Sequence, residues 1–148
     1  MTNKIRITKK FCFEAAHILD FYDGLCKNLH GHSYKLFVTV IGTPEININS
    51  PKLGMVIDFK ILKSIINENI IEKFDHSIIV NKKNPLLPIL LENNKVNVVD
   101  FQPSAENMLL YFVDLLNDKL PIGIKLFSMK LYETEDSYAE WFDSDNKN

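Results

Sequence analysis

The stretch "GLCKNLHGHSYKLFVTV", Gly24 to Val40, decides how this chain folds. On a strand, successive side chains point to opposite faces. His30, His32, Tyr34, Leu36, Val38 and Val40 therefore share one face of a strand spanning His30 to Ile41. Upstream, Ile7 to His17 reads as a second strand, with Phe11, Phe13, Ala15 and His17 on one face. Residues 18–29 form the loop between them. If the two strands pair as a hairpin, His17 lies beside the start of the second strand, and three of the chain's four histidines converge.

Imidazole is a good ligand for Zn²⁺, and three protein ligands with one open position is the pattern of a catalytic site. A structural site is closed by a fourth protein ligand, and Cys26, four residues before His30, is at a spacing that allows it. Against that, Cys26 sits in the loop rather than on the histidine-bearing face. Cys12, five residues before His17, falls on the opposite face. The plainer alternative is that His30 and His32 are ordinary polar strand residues.

Working outward, "GTPEININSPKLG" is a turn-rich connection. Asp58 is suited to cap a helix running to about Lys73, whose buried stripe is Phe59, Leu62, Ile65, Ile66 and Ile70. Asp75 to Gln102 is irregular, with a short strand near Val96 to Val99. Ser104 caps a second helix, Ala105 to Leu120, with its stripe at Ala105, Met108, Leu109, Phe112, Leu115 and Leu116, and "PIG" ends it. Further strands follow at Ile124 to Glu133 and Tyr138 to Phe142, and "DSDNKN" reads as a frayed tail. The order β-β-α-α-β-β implies an α+β fold: an antiparallel sheet with two helices on one face and two open edges that favour extension between subunits.

Two further places carry chemistry. Asp75 and His76 are adjacent in "EKFDHSIIV"; a carboxylate that orients an imidazole makes a proton relay, while the plainer reading is a helix C-terminal histidine beside a solvated aspartate. Glu133 shares strand parity with Phe127, Met129 and Leu131. A carboxylate ending an apolar face can accept paired N–H donors from a heterocycle, or else the strand has ended and it points to water. Glu106, in the first turn of the second helix, complements the helix dipole.

Composition narrows the class. With 148 residues, 46% hydrophobic and 24% charged, the chain is long enough for one domain, 1–148, with its own core. A net charge of −2 implies no broad cationic field for nucleic acid, and no apolar run approaches a membrane span. "MTNKIRITKKF" lacks the apolar centre of a secretory signal, so a cytoplasmic location with free thiols at Cys12 and Cys26 is expected. Neither a G-x-G-x-x-G nor a P-loop occurs, so neither nicotinamide nor flavin is expected.

The motifs "FCFEAAH", "CKNLHGHSYKL", "GMVIDF", "FDHSIIV", "PSAEN" and "YETEDSYAEW", in this order, resemble the 6-pyruvoyl-tetrahydropterin synthase family, which includes the bacterial 6-carboxy-5,6,7,8-tetrahydropterin synthases of queuosine biosynthesis. The resemblance covers about Lys9 to Phe142; Ser104 stands where the family more often has threonine. It implies the tunnelling fold, with subunits assembled into trimeric barrels that usually stack as a homohexamer. It implies one Zn²⁺ per subunit held by His17, His30 and His32, with Cys26 a catalytic acid/base thiol. Asp75 and His76 would be a proton relay reaching a neighbouring subunit's site, and Glu133 the anchor of the pterin's amino-pyrimidine edge. The implied activity is that of a lyase acting on a small molecule, 7,8-dihydroneopterin triphosphate. The forms "GMVIDF", "PSAEN" and "YETEDSYAEW" look like the bacterial, carboxy-forming branch. The alternatives are the pyruvoyl-forming branch, which eliminates triphosphate, and a non-enzymatic zinc module closed by Cys26.

Overall fold

Ile5–His17 forms β1 and His30–Gly42 forms β2 in the computed structural model, which describes residues 3–147. Met1 and Thr2 of the amino-terminal stretch, and Asn148 of the tail, lie outside it. The two strands pair antiparallel along their whole length, from Ile5 opposite Gly42 to His17 opposite His30. The period of two holds throughout. Phe11, Phe13, Ala15, His17, Tyr34, Leu36, Val38 and Val40 are buried on the inner face, while Thr8, Lys10, Cys12 and Glu14 are exposed on the outer one.

The inner face is covered by helices. Asp58 caps α1, Phe59–Ile66, by accepting the Lys60 N–H at 2.8 Å. The chain continues through a π turn, Asn67–Ile71, into the short α2, Glu72–Phe74. Leu62, Ile66, Ile70 and Phe74 are the buried positions, every fourth residue. Four residues of α-helix overshoot a full circle by about 40°, so such a row drifts around a regular helix. The wider π turn takes up that drift and keeps the row on the sheet. Phe59, expected in the stripe, lies to one side of this row and is exposed, and Ile65 is only partly buried.

Ser104 caps α4, Ala105–Leu115, through its hydroxyl, which accepts the Asn107 N–H at 3.3 Å. Ala105, Met108, Leu109 and Phe112 face the core. The helix stops short of the expected Leu120: turns follow it, and Asp118 takes a left-handed backbone (φ 60°). Phe112 packs on Phe13 of the sheet and Phe74 of α2, with ring centroids 6.0 and 5.0 Å apart, joining the three elements.

The segment read as irregular is ordered. It contains β3, Ser77–Asn81; α3, Leu87–Asn93; and β4, Val96–Val99, the last as expected. β3 runs parallel to β1, and β4 parallel to β3. With β5, Lys125–Tyr132, and β6, Tyr138–Phe142, the result is a mixed six-stranded sheet in the order β4-β3-β1-β2-β5-β6. The fold is α+β, but the sheet is not purely antiparallel. Nor do all helices share one face: Val80, Leu90 and Ile18 form a separate buried cluster, flanked by Ile78, Leu87 and Val96. The two prolines of "PLLP" suggest a loop, yet Pro88 occupies the first turn of α3, where no backbone donor is needed.

A second correction concerns Phe127. Thr39 pairs with Ser128 and Val40 with Leu126, so Phe127 is the extra residue of a β-bulge. The bulge takes it off the face of Met129 and Leu131; its ring lies under the Arg6 guanidinium, 3.9 Å from the centroid. The tail is also more ordered than expected: Asp143–Asn146 forms a 3₁₀ turn, and Lys147 pairs with Asp143 at 2.5 Å. Among the described residues no helix is long and apolar enough to cross a membrane.

Leu62 is completely buried. Replacing it with alanine is expected to destabilise the fold by about 2–5 kcal/mol, read from the urea unfolding midpoint.

Candidate metal centre and active site

The register of β1 and β2 builds the centre. His17 and His30 are direct cross-strand partners, and His32, opposite Ala15, is one inward position further along β2. The three rings approach edge-to-face, with centroids 4.6 to 5.0 Å apart. One nitrogen from each lies within 4.8 Å of the others, so the group could hold a metal ion. The convergence read from strand parity is therefore realised.

The surroundings fix which nitrogens are offered. His17 Nδ1 lies 2.7 Å from the Pro103 carbonyl, and His30 Nδ1 lies 2.7 Å from the Asn28 carbonyl. A carbonyl only accepts, so both Nδ1 atoms carry the proton and both Nε2 atoms present lone pairs. Those two Nε2 atoms are 3.0 Å apart. Facing lone pairs at that separation can share a cation. His32 Nε2 is buried with no hydrogen-bond partner among the described residues. An orphaned buried acceptor beside two matched ones fits a metal ligand set, and outer hydrogen bonds to carbonyls are the usual support of such ligands. Burial pushes His17 and His32 below the ordinary histidine value of 6.5, partly opposed by the nearby Glu133 carboxylate. Neutral imidazole is the metal-binding form.

Glu133 does not turn to water. It follows Tyr132, the last residue of β5, and its Oε1 lies 3.3 Å from His17 Nε2 and 3.4 Å from His32 Nε2, with the side chain 30% exposed. Tyr34 floors the site. It is fully buried, stacked on Phe13 with centroids 5.0 Å apart, and its hydroxyl is 3.3 Å from His17 Nδ1. Burial pushes that hydroxyl far above its ordinary value, and the nearby Glu133 carboxylate adds to the shift. It is therefore neutral.

Cys26 lies in a 3₁₀ turn, Leu25–Lys27, is partly exposed and contributes no atom to the three-histidine group. Cys12 is exposed on the outer face.

Asp75 and His76 do touch. Asp75 Oδ2 accepts from His76 Nδ1 at 2.9 Å, while Oδ1 accepts the Glu14 N–H of β1 at 2.9 Å. His76 has a left-handed backbone (φ 55°) held by its own N–H to the Glu14 carbonyl at 2.6 Å. Such a conformation at a residue other than glycine costs about 1–3 kcal/mol and marks a constrained position. The imidazole is 79% exposed and lines a depression with Glu14, Ala16, Gly31, His32 and Ser33. The trio projects from the other face, so one chain does not bring the pair into the histidine group. Sequence reading missed the Pro103 and Asn28 carbonyls that orient His17 and His30. Backbone acceptors leave no mark on residue type. Glu106 is exposed in the first turn of α4, as expected.

These features define a class: an α+β domain whose central hairpin carries a three-histidine site able to hold a metal ion. The chain belongs to the 6-pyruvoyl tetrahydropterin synthase family, whose model matches residues 6–143. It is similar to the 6-carboxy-5,6,7,8-tetrahydropterin synthase of Haemophilus influenzae, 37% identical over 141 residues that cover 92% of this chain and 97% of that one. It is also similar to the 6-pyruvoyl tetrahydrobiopterin synthase of Homo sapiens, 34% identical over 134 residues that cover 89% of this chain and 79% of that one. Among solved structures, the 6-pyruvoyl tetrahydropterin synthase of Plasmodium vivax superposes with a TM-score of 0.71 at 17% identity, over 94% of this chain and 97% of that one. The tunnelling fold expected from the motifs is thereby met.

The Asp75 carboxyl is held below its ordinary value of 3.8, chiefly by the Glu14 N–H and then by His76. A depressed acid contributes stability that is fully present above the unfolded value and is lost as pH falls through the lower folded one. The unfolding midpoint of Asp75→Asn should therefore trail wild type near neutral pH, and the gap should close below pH 3.8.

Proposed function

We propose that this chain is a zinc-dependent 6-carboxy-5,6,7,8-tetrahydropterin synthase, a lyase that converts 7,8-dihydroneopterin triphosphate and one water to the 6-carboxy product, acetaldehyde and triphosphate, in queuosine biosynthesis in the cytoplasm. The observation that carries the reading is the buried, unpartnered His32 Nε2 set among two imidazoles already oriented by carbonyls. Similarity over nearly the whole length to a relative named for that activity supports the choice of branch.

In this reading His17, His30 and His32 would hold one zinc. Zinc bound there supplies Lewis acidity at the substrate's side-chain oxygens. Cys26, outside the ligand set, takes a proton as thiolate. His76, oriented by Asp75, holds a second proton and reaches the site of a neighbouring copy, because in its own chain it stands on the opposite face of the sheet. Glu133, at the rim of the histidines, accepts the paired N–H donors of the pterin's amino-pyrimidine edge. Assembly as a homo-oligomer, a trimer or a dimer of trimers, follows from that division. The open sheet edges β4 and β6 and the uncovered polar face of β1 and β2 support it.

Two experiments test this. Incubation with 7,8-dihydroneopterin triphosphate, followed by mass spectrometry, should give the 6-carboxy product; the pyruvoyl product alone would move the chain to the other branch, and neither product would overturn the reading. Cys26→Ala should keep one zinc per chain by elemental analysis while kcat falls about 10²–10⁴-fold. Loss of zinc and of the fold in that variant would instead favour a structural module closed by Cys26.

A further inference from the structure

We infer that Gln102 is a positioning residue that sets the pose of the Cys26 loop relative to His17. The inference rests on the proposed role of Cys26 for its consequence, but its geometry stands independently.

Residues 18–29 leave β1 at His17 and rejoin β2 at His30. Beyond the buried Ile18, apolar packing does little to hold them: Phe21 and Leu25 are almost wholly exposed, and Tyr22 is half exposed. The loop is held by polar contacts. Leu19 N–H donates to the Cys26 carbonyl at 3.2 Å, folding the 3₁₀ turn back onto the loop's start. The next residue, Asp20, is gripped from outside. Gln102 Nε2 donates to the Asp20 carbonyl at 2.6 Å, and Gln102 Oε1 accepts the Asp20 N–H at 2.9 Å. A side-chain amide thus takes the place of a neighbouring strand. Its orientation is unambiguous, because a main-chain carbonyl accepts and an N–H donates.

A second amide completes the grip. Asn84, itself buried, donates from Nδ2 to the Asp20 carboxylate, and its Oδ1 accepts the Leu86 N–H at 2.8 Å. Gln102 is anchored in turn: its carbonyl accepts from Asn107 Nδ2 at 3.0 Å, in the first turn of α4. The following residue, Pro103, supplies the carbonyl that orients His17. Residues 102 and 103 therefore tie together the start of α4, the His17 ring and the loop that carries Cys26. A proton-transfer group displaced by about 1 Å can lose about 100-fold in rate. The Gln102 side chain bonds Asp20 and is not part of the three-histidine group, so its removal should act on turnover through the loop.

The test uses zinc-loaded protein with Cys12→Ser, which removes the other exposed thiol. Gln102→Glu keeps the acceptor and loses the donor to Asp20; Gln102→Met keeps the length and loses both bonds. Both should alkylate at Cys26 about threefold or more faster with iodoacetamide, reflecting a loosened loop. Both should lose about 10- to 100-fold in kcat with KM and zinc content within about twofold of wild type. An unchanged alkylation rate in both variants would overturn the inference. So would zinc loss in step with kcat, because Gln102 would then act through Pro103 and His17. If wild-type protein forms no pterin product, the functional reading fails while the alkylation comparison still decides the clamp.

Discussion

The pairing of β1 with β2 in a single register is the constraint on which the molecule depends. Side chains alternate with a period of two, so a slip of one residue would send His30 and His32 to the outer face and bring Ser33 and Lys35 inward. Several contacts fix the register at once. Phe13 stacks on Tyr34 directly opposite it, and Phe11 faces Leu36 across the same ladder. On the outer face Thr8 bonds Thr39 at 2.7 Å, and Ser33 donates to Glu14 at 2.7 Å. The apolar face makes any other register costly, and the histidines inherit their geometry from it.

That inheritance explains how a group of neutral imidazoles can be kept together. The buried aromatic and aliphatic side chains of both strands continue directly into the trio, so the rings stand on packed ground rather than on a loop. Carbonyls from two connecting segments then choose the tautomer. Two Nε2 atoms face one another at 3.0 Å, and the third, on His32, has no hydrogen-bond partner among the described residues. Packing thus holds together three nitrogens that could take up a metal ion.

Local, periodic features were legible in the sequence. Both central strands, the histidine face and the Asp58 and Ser104 caps follow from alternation and from residue types with one dominant local use. What was not legible depends on partners distant in the chain. β3 is five residues long and is a strand because β1 and β4 flank it. The π turn that redirects the α1 stripe has no residue-type signature. Phe127 was misplaced because a bulge adds one residue to the count, whereas Glu133 was read correctly onto its face because Met129 and Leu131 lie beyond the bulge. Gln102 and Asn84 carried no signal at all: an amide becomes a clamp only when the fold brings it a backbone.

The proposed chemistry divides along the same line. The ligand half is borne by strands and is rigid, and its residues could be found by parity. The proton-moving half sits on connections. Cys26 is in a loop, and His76 is at the junction of α2 and β3, held in a left-handed conformation by β1. In the proposed chemistry the thiol would meet a substrate held at the histidines, and it cannot share their ladder, because inner-face neighbours at period two would join the ligand set themselves. Placing Cys26 on a loop solves that problem and creates another, since a loop with exposed apolar side chains has little burial to define its position. Amide contacts to the backbone of Asp20 resolve it without adding a charge near the centre. A lysine or an arginine there would restrain the loop as well, but would set a cation beside the three imidazoles proposed to bind another.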